Sequence, residues 1–242
     1  MSRGLTGMGA GLQDAYLEAL GIQRWVVRKV SSAVAATADE PLEDATKDDA
    51  VSSMGWEALR VQAAGCTRCV LHETRTQAVF GTGDRNADWM LIGEAPGADE
   101  DRQGEPFVGR AGQLLNEMLF AAGYRREQVY IANILKCRPP GNRNPQPEEV
   151  SRCEDYLLRQ IELVQPKIIL ALGGIAAQNL LHTEVSVGRL RGIRHSFGES
   201  GIPLVVTYHP AYLLRSPLEK RKVWIDLQFA REVYSELRAV HD

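Results

Sequence analysis

The sequence predicts an α/β fold, a parallel sheet covered by helices on both faces, and three observations carry that expectation. Four runs are apolar almost throughout: WMLI (89–92), VYIAN (129–133), KIILAL (167–172) and PLVVT (203–207). Continuous apolar runs of this length are the pattern of strands buried on both faces. Helical patterns alternate with them, at about 110–122, 147–164, 174–181 and 218–238, which is the order that parallel sheets require. Each run ends in a distinctive loop: GEAPG after the first, Asn133 closing the second, LGG after the third and YHPAYLLR after the fourth. Ligands of such folds gather at the C-terminal ends of the strands, so these four loops are where a site is expected.

The chain begins differently. In LQDAYLEALGIQRWVVRK (12–29), residues Leu12, Tyr16, Leu17, Leu20, Ile22 and Trp25 fit one apolar helical face, with Gly21 near its end. Residues 31–55 are rich in Ala, Ser and acidic residues and poor in aromatics, the composition of a flexible linker. Three parts follow: an amphipathic segment over 1–30, a linker over 31–55 and a folded domain over 56–242. A short amphipathic piece separated from a core by a linker either docks into a partner's groove or folds back on its own domain.

Of 242 residues, 44% are hydrophobic and 24% charged, enough for one sizeable core. No run of about 18 apolar residues is present, and the N-terminus lacks a charged-then-apolar leader pattern; a cytoplasmic protein without a membrane span is expected. Net charge is -3. The first 55 residues hold five Lys/Arg against eight Asp/Glu, so 23 of each sign remain and the rest is neutral. A neutral domain still allows a local basic face, and NILKCRPPGNR and LLRSPLEKRKVW concentrate positive charge.

Four cysteines in a cytosolic chain read as thiols or metal ligands before disulfides. Cys66 and Cys69 form C-x2-C, and Cys137 and Cys153 form C-x15-C. The close pair supplies two ligands from one turn, and the distant pair closes a loop onto them. Four thiolates suit structural zinc or a [4Fe–4S] cluster, and the spacing leaves both open.

GEAPGADEDRQGEPFVGRAGQLL (93–115) forms a tight loop with backbone N–H groups available to a ligand. It lacks the GK[ST] of a nucleotide-binding loop. Glu94, Asp99, Glu100 and Asp101 are carboxylates able to orient water or stabilise a cation. Phe107 lies in a loop at the expected cleft, where an aromatic ring is a stacking platform for a base. LGGIAA (172–177) suits close strand–helix packing better than a phosphate cradle. HPAYLLRSP (209–217) sets His209 before a proline. Tyr212, Leu213, Leu214 and Arg215 then read as a wedge, apolar side chains to unstack a duplex with an arginine for phosphate.

Together these stretches resemble the family 4 uracil-DNA glycosylases, the iron–sulfur type of bacteria and archaea. GEAPGADEDRQGEPFVGRAG, NILKCRPPGNR and HPAYLLR match that family's three motifs in order, and the cysteine spacing matches its cluster ligands. The likeness covers about residues 56–240. It implies a three-layer α/β/α sandwich around a four-stranded parallel sheet, with a [4Fe–4S] cluster on Cys66, Cys69, Cys137 and Cys153. It also implies a monofunctional, monomeric repair enzyme of the bacterial cytoplasm and nucleoid, acting on uracil in single- or double-stranded DNA. Phe107 would stack on the flipped base, Asn133 would pair with its edge, and Glu100 would crowd its 5-position. His209 would hydrogen-bond O2, helped by GEAPG backbone N–H groups at Gly93 and Ala95. Glu94 would orient water. The better-known branch carries an aspartate where this chain has Ala95, which leaves the water-positioning group open. Arg138, Arg143 and the 212–215 wedge would contact DNA. No histidine-bearing insert follows GEAPG, so the branch that bonds covalently to its DNA product is not matched. Residues 12–29 resemble the N-terminal peptide of the psi subunit of the bacterial replicative clamp loader, which implies a replication tether. The alternative is a DNA-binding or replication adaptor that kept the fold without the activity.

Overall fold

A computed structural model describes residues 49–239; the amphipathic segment 12–29 and the linker as far as residue 48 lie outside the described residues. The elements in chain order are α1 (Asp49–Ser52), α2 (Trp56–Ala64), β1 (Thr82–Gly83), β2 (Trp89–Gly93), α3 (Ala98–Gln103), α4 (Arg110–Ala121), β3 (Tyr130–Asn133), α5 (Pro147–Val164), β4 (Ile168–Leu172), α6 (Gly174–Leu180), α7 (Val187–Leu190), β5 (His195–Phe197), β6 (Ile202–Thr207), α8 (Pro210–Arg215) and α9 (Lys220–Ala239).

The sheet order is β1-β3-β2-β4-β6-β5. The four strands expected from the apolar runs are the inner four, and they pair in parallel. The sheet is nevertheless six-stranded and mixed, because β1 and β5 add antiparallel edges. These edges have only two and three residues, too short to show a period.

Alternate residues of each inner strand enter opposite cores, which is why the runs read as apolar without a break. Leu91, Ile131, Leu170, Leu172 and Val205 pack with Leu115 and Leu119 of α4, Leu213 of α8 and Leu227 of α9. Met90, Ile92, Ala132, Ile169, Ala171 and Val206 pack with Leu157 and Ile161 of α5 and Ala176, Ala177 and Leu180 of α6. Three layers result. Burying each such aliphatic side chain contributes roughly 1.5–3 kcal/mol.

Two boundaries shift. Residues 49–55, read as the end of the linker, already belong to the domain: Val51 is buried and the Met54 carbonyl accepts from Arg159 Nε at 2.7 Å. The wedge HPAYLLR, read as a loop, is a helix after His209, and its helical period turns Leu213 into the core at 0% exposure. Leu213 is therefore no DNA-contacting side chain. Tyr212, Leu214 and Arg215 stay at or near the surface.

Candidate active site

Gly93 ends β2 and Asn133 ends β3, and the two are register partners. Pairing continues beyond the strands, with Ile134 N–H to Gly93 O at 2.9 Å and Leu135 N–H to Glu94 O at 3.0 Å. The glycine is required by space: a Cβ there would lie 2.4 Å from Asn133 Oδ1 and 2.6 Å from Phe107 Cζ. Asn133 is 2% exposed, and its Oδ1 is buried with no hydrogen-bond partner. Leaving a buried acceptor unpaired costs about 1–3 kcal/mol, so this oxygen marks where a donor belongs.

Phe107 completes the wall. It is not exposed but buried, at 6%, and its backbone has φ 55, the left-handed region that favours glycine. Its ring lies 5.4 Å from the His209 ring, tilted by 32°. His209 caps α8, with Nδ1 accepting the Ala211 N–H at 3.2 Å. Burial, then Arg215, lowers its pKa to about 4. In the neutral ring the Nδ1 acceptor leaves the proton on Nε2, which is therefore a donor. Gly173 of LGG has φ 97 and faces the His209 Cβ, 2.9 Å from where its own Cβ would stand. That glycine serves close packing, not a phosphate.

A cavity of about 420 Å³ is lined by Glu94, Ala95, Glu100, Phe107, Asn133 and His209, with Arg143, Tyr212 and Arg215 among its other residues. Burial alone raises the Glu94 pKa above the usual carboxylate value. Glu100 is held by three backbone donors: Gly97 N–H at 3.1 Å and the Val108 and Gly109 N–H groups at 3.0 Å. It ties the start of α3 to the loop after Phe107. A larger cavity, about 830 Å³, lies between α5, α6 and the β5–β6 turn and contains none of the predicted residues.

Two predicted phosphate contacts are engaged otherwise. Arg143 is bidentate to Glu149 at 2.9 and 2.5 Å while its side chain stays 35% exposed on the cavity wall. Arg138 Nε donates to Asn142 Oδ1 at 2.7 Å and lies outside the cavity wall.

The four cysteines line one further cavity, joined there by Arg68, His72, Arg75, Lys136, Arg152 and Tyr156 and by no carboxylate. Among the described residues, no three His, Cys, Asp or Glu side chains converge on a point that would hold a single metal ion. Burial raises the Cys137 thiol and pushes Cys153 up to about 12. Donors already face the sulfurs: Arg75 Nη1 to Cys137 at 2.9 Å and Lys136 N–H to Cys153 at 3.3 Å. Two more buried polar groups on this wall, Arg68 Nη1 and the Tyr156 hydroxyl, have no partner.

Sequence reasoning missed a second network. Asp226 of α9 accepts Thr207 Oγ1 at 2.6 Å and a bidentate Arg191 at 2.7 and 2.9 Å, and Arg191 lies over the Tyr208 ring at 4.5 Å. It braces the two residues before His209. A buried acid and a distant arginine leave no local sequence signal.

Comparison with known proteins places this site in context. The family described as "Uracil DNA glycosylase superfamily" matches residues 80–228. A type-4 uracil-DNA glycosylase of Archaeoglobus fulgidus is 49% identical over 158 residues, 63% of this chain and 79% of that protein. One of Thermotoga maritima is 48% identical over 154 residues, 62% and 79%. A type-5 uracil-DNA glycosylase of Pyrobaculum aerophilum is 32% identical over 148 residues, 54% and 64%.

Proposed function

The chain belongs to the uracil DNA glycosylase superfamily, and from that premise we propose that it repairs DNA by hydrolysing the N-glycosidic bond of flipped uracil with the residues around Asn133. The observation that carries the residue roles is the buried, unpartnered Asn133 Oδ1 beside the Phe107 ring. Uracil must leave the base stack before its glycosidic bond is reached. Its N3–H matches the orphaned acceptor, and the amide N–H₂ matches O4. Cytosine presents the reverse pattern and leaves buried groups unpaired.

Phe107 stacks on the base, and Glu100, fixed by three N–H groups, walls the 5-position. As the N1–C1′ bond breaks, its electron pair moves onto uracil and spreads to O2. Neutral His209 donates from Nε2 to that oxygen, and the Gly93–Ala95 backbone assists. The sugar becomes cationic, and the half-buried Glu94 carboxylate faces it and takes the proton of the attacking water. The products are free uracil and an abasic site. Tyr212, Leu214 and Arg215 form the DNA-facing rim.

The cysteine cavity fits a [4Fe–4S] cluster better than zinc. Cys66, Cys69, Cys137 and Cys153 surround a space instead of converging on a point, and the basic wall, with Arg75 Nη1 already facing Cys137, suits an anionic group. The group, when bound, supplies covalent cross-linking of the 66–69 turn to the 137 loop and α5. Residues 12–29 are proposed to tether the enzyme to the clamp loader; clamp-loader capture unaffected by deleting residues 1–30 would remove that reading.

The test is uracil release from single- and double-stranded oligonucleotides. Release from uracil-containing DNA and none from cytosine or thymine is expected. DNA binding without release would favour the adaptor.

A further inference from the structure

We propose that Arg126 is a positioning residue, holding Phe107 in the strained conformation that presents its ring to the flipped base. This rests on the reading of Phe107 as the base platform. Phe107 has φ 55 without being glycine, a conformation that persists only when its surroundings over-determine it. Arg126 supplies that constraint. Its Nη2 donates to Pro106 O at 2.5 Å and Glu105 Oε1 at 3.0 Å. Its Nη1 donates to Phe107 O and Asn116 Oδ1, both at 3.3 Å, and its Nε to Glu105 Oε1 at 3.3 Å. All five guanidinium N–H donors are thus directed at the 105–107 turn and the α4 residue behind it.

Gly112 packs directly against the Phe107 carbonyl: a Cβ on it, were one present, would lie 1.8 Å from Phe107 O. The turn Arg126–Gln128 is itself fixed, with Arg125 N–H donating to Gln128 Oε1 at 2.8 Å. Arg126 is absent from the wall of the uracil cavity, so it acts through Phe107 and not on the base. A lysine offers no planar fork and cannot hold two successive carbonyls and a carboxylate together.

Three readouts test this: single-turnover uracil release, inhibition by free uracil, and affinity for abasic-site DNA. Arg126→Met is expected to slow release about tenfold to a hundredfold, the rate equivalent of the strain such a φ stores. Uracil inhibition should weaken in parallel, and abasic-site affinity should stay within about twofold. Arg126→Lys should not restore the rate. In a Phe107→Ala background, Arg126→Met should add less than about twofold, the non-additivity of residues acting as a unit. A wild-type rate in Arg126→Met, or additive losses in the double variant, overturns the proposal. If Arg126→Met does not fold, Glu105→Gln, at a half-exposed partner, should give the same pattern at about threefold, and an unchanged rate there overturns it. Phe107→Ala at full rate would instead remove the reading of Phe107 itself.

Discussion

Lys136 donates its ammonium to the carbonyl oxygen of Asn133 at 2.8 Å while its own backbone N–H reaches the Cys153 sulfur at 3.3 Å. One buried residue therefore touches both Asn133, the proposed base reader, and the cysteine cavity. Its other partner is Gln160 Oε1 at 2.6 Å, so no carboxylate pairs with it. Lys136→Met keeps the length and loses the donor. It should slow uracil release by about tenfold to a hundredfold, the scale of a small displacement of a positioned group, with iron content retained. Full activity would show that Asn133 needs no such support.

Asn133→Asp replaces the amide donor with a second acceptor, which faces O4 unfavourably. Uracil release should fall on the order of a thousandfold in single-turnover assays, or give way to cytosine release. An unchanged rate refutes the pairing.

Gly93→Ala drives a methyl into Asn133 and Phe107. Overpacking costs about 1–3 kcal/mol, a modest fall in Tm for a domain of this size. Uracil release should nevertheless be lost, because the methyl occupies the base site. Calorimetry with the release assay separates the two effects.

The pH profile should have an acid limb belonging to Glu94. Burial raises its pKa above 4.5, so the carboxylate is lost as pH falls through that raised value. His209 has its pKa lowered to about 4 and is the neutral donor above that pH. Glu94→Gln should be slower and flat across it; a limb that persists in the variant assigns it elsewhere.

Cys137→Ser should lose iron, acid-labile sulfide and visible absorbance, and with them the 133–143 loop that leads from the base pocket. Protein keeping its cluster and full rate would separate the two sites.

The inner sheet was legible because strands buried on both faces leave long apolar runs. β1 and β5 were not, since two or three residues carry no period. The motif loops named Glu94, Phe107, Asn133 and His209, yet nothing local reveals the left-handed φ of Phe107. Leu213 misled because an apolar pair after proline looks like a wedge until a helical turn sends one member inward. The pairing of Arg143 with Glu149 was also hidden, because a charge says nothing about a carboxylate in the first turn of α5, one that also caps that helix through Gln146 N–H at 2.8 Å.

The clamp of Asp226 on Thr207 and Arg191 joins α9 to the two residues before His209. Every side chain proposed for the chemistry lies at or before residue 215, yet the brace comes from Asp226, eleven positions later. A chain truncated before α9 would carry the complete set of proposed groups and still lack this brace behind His209.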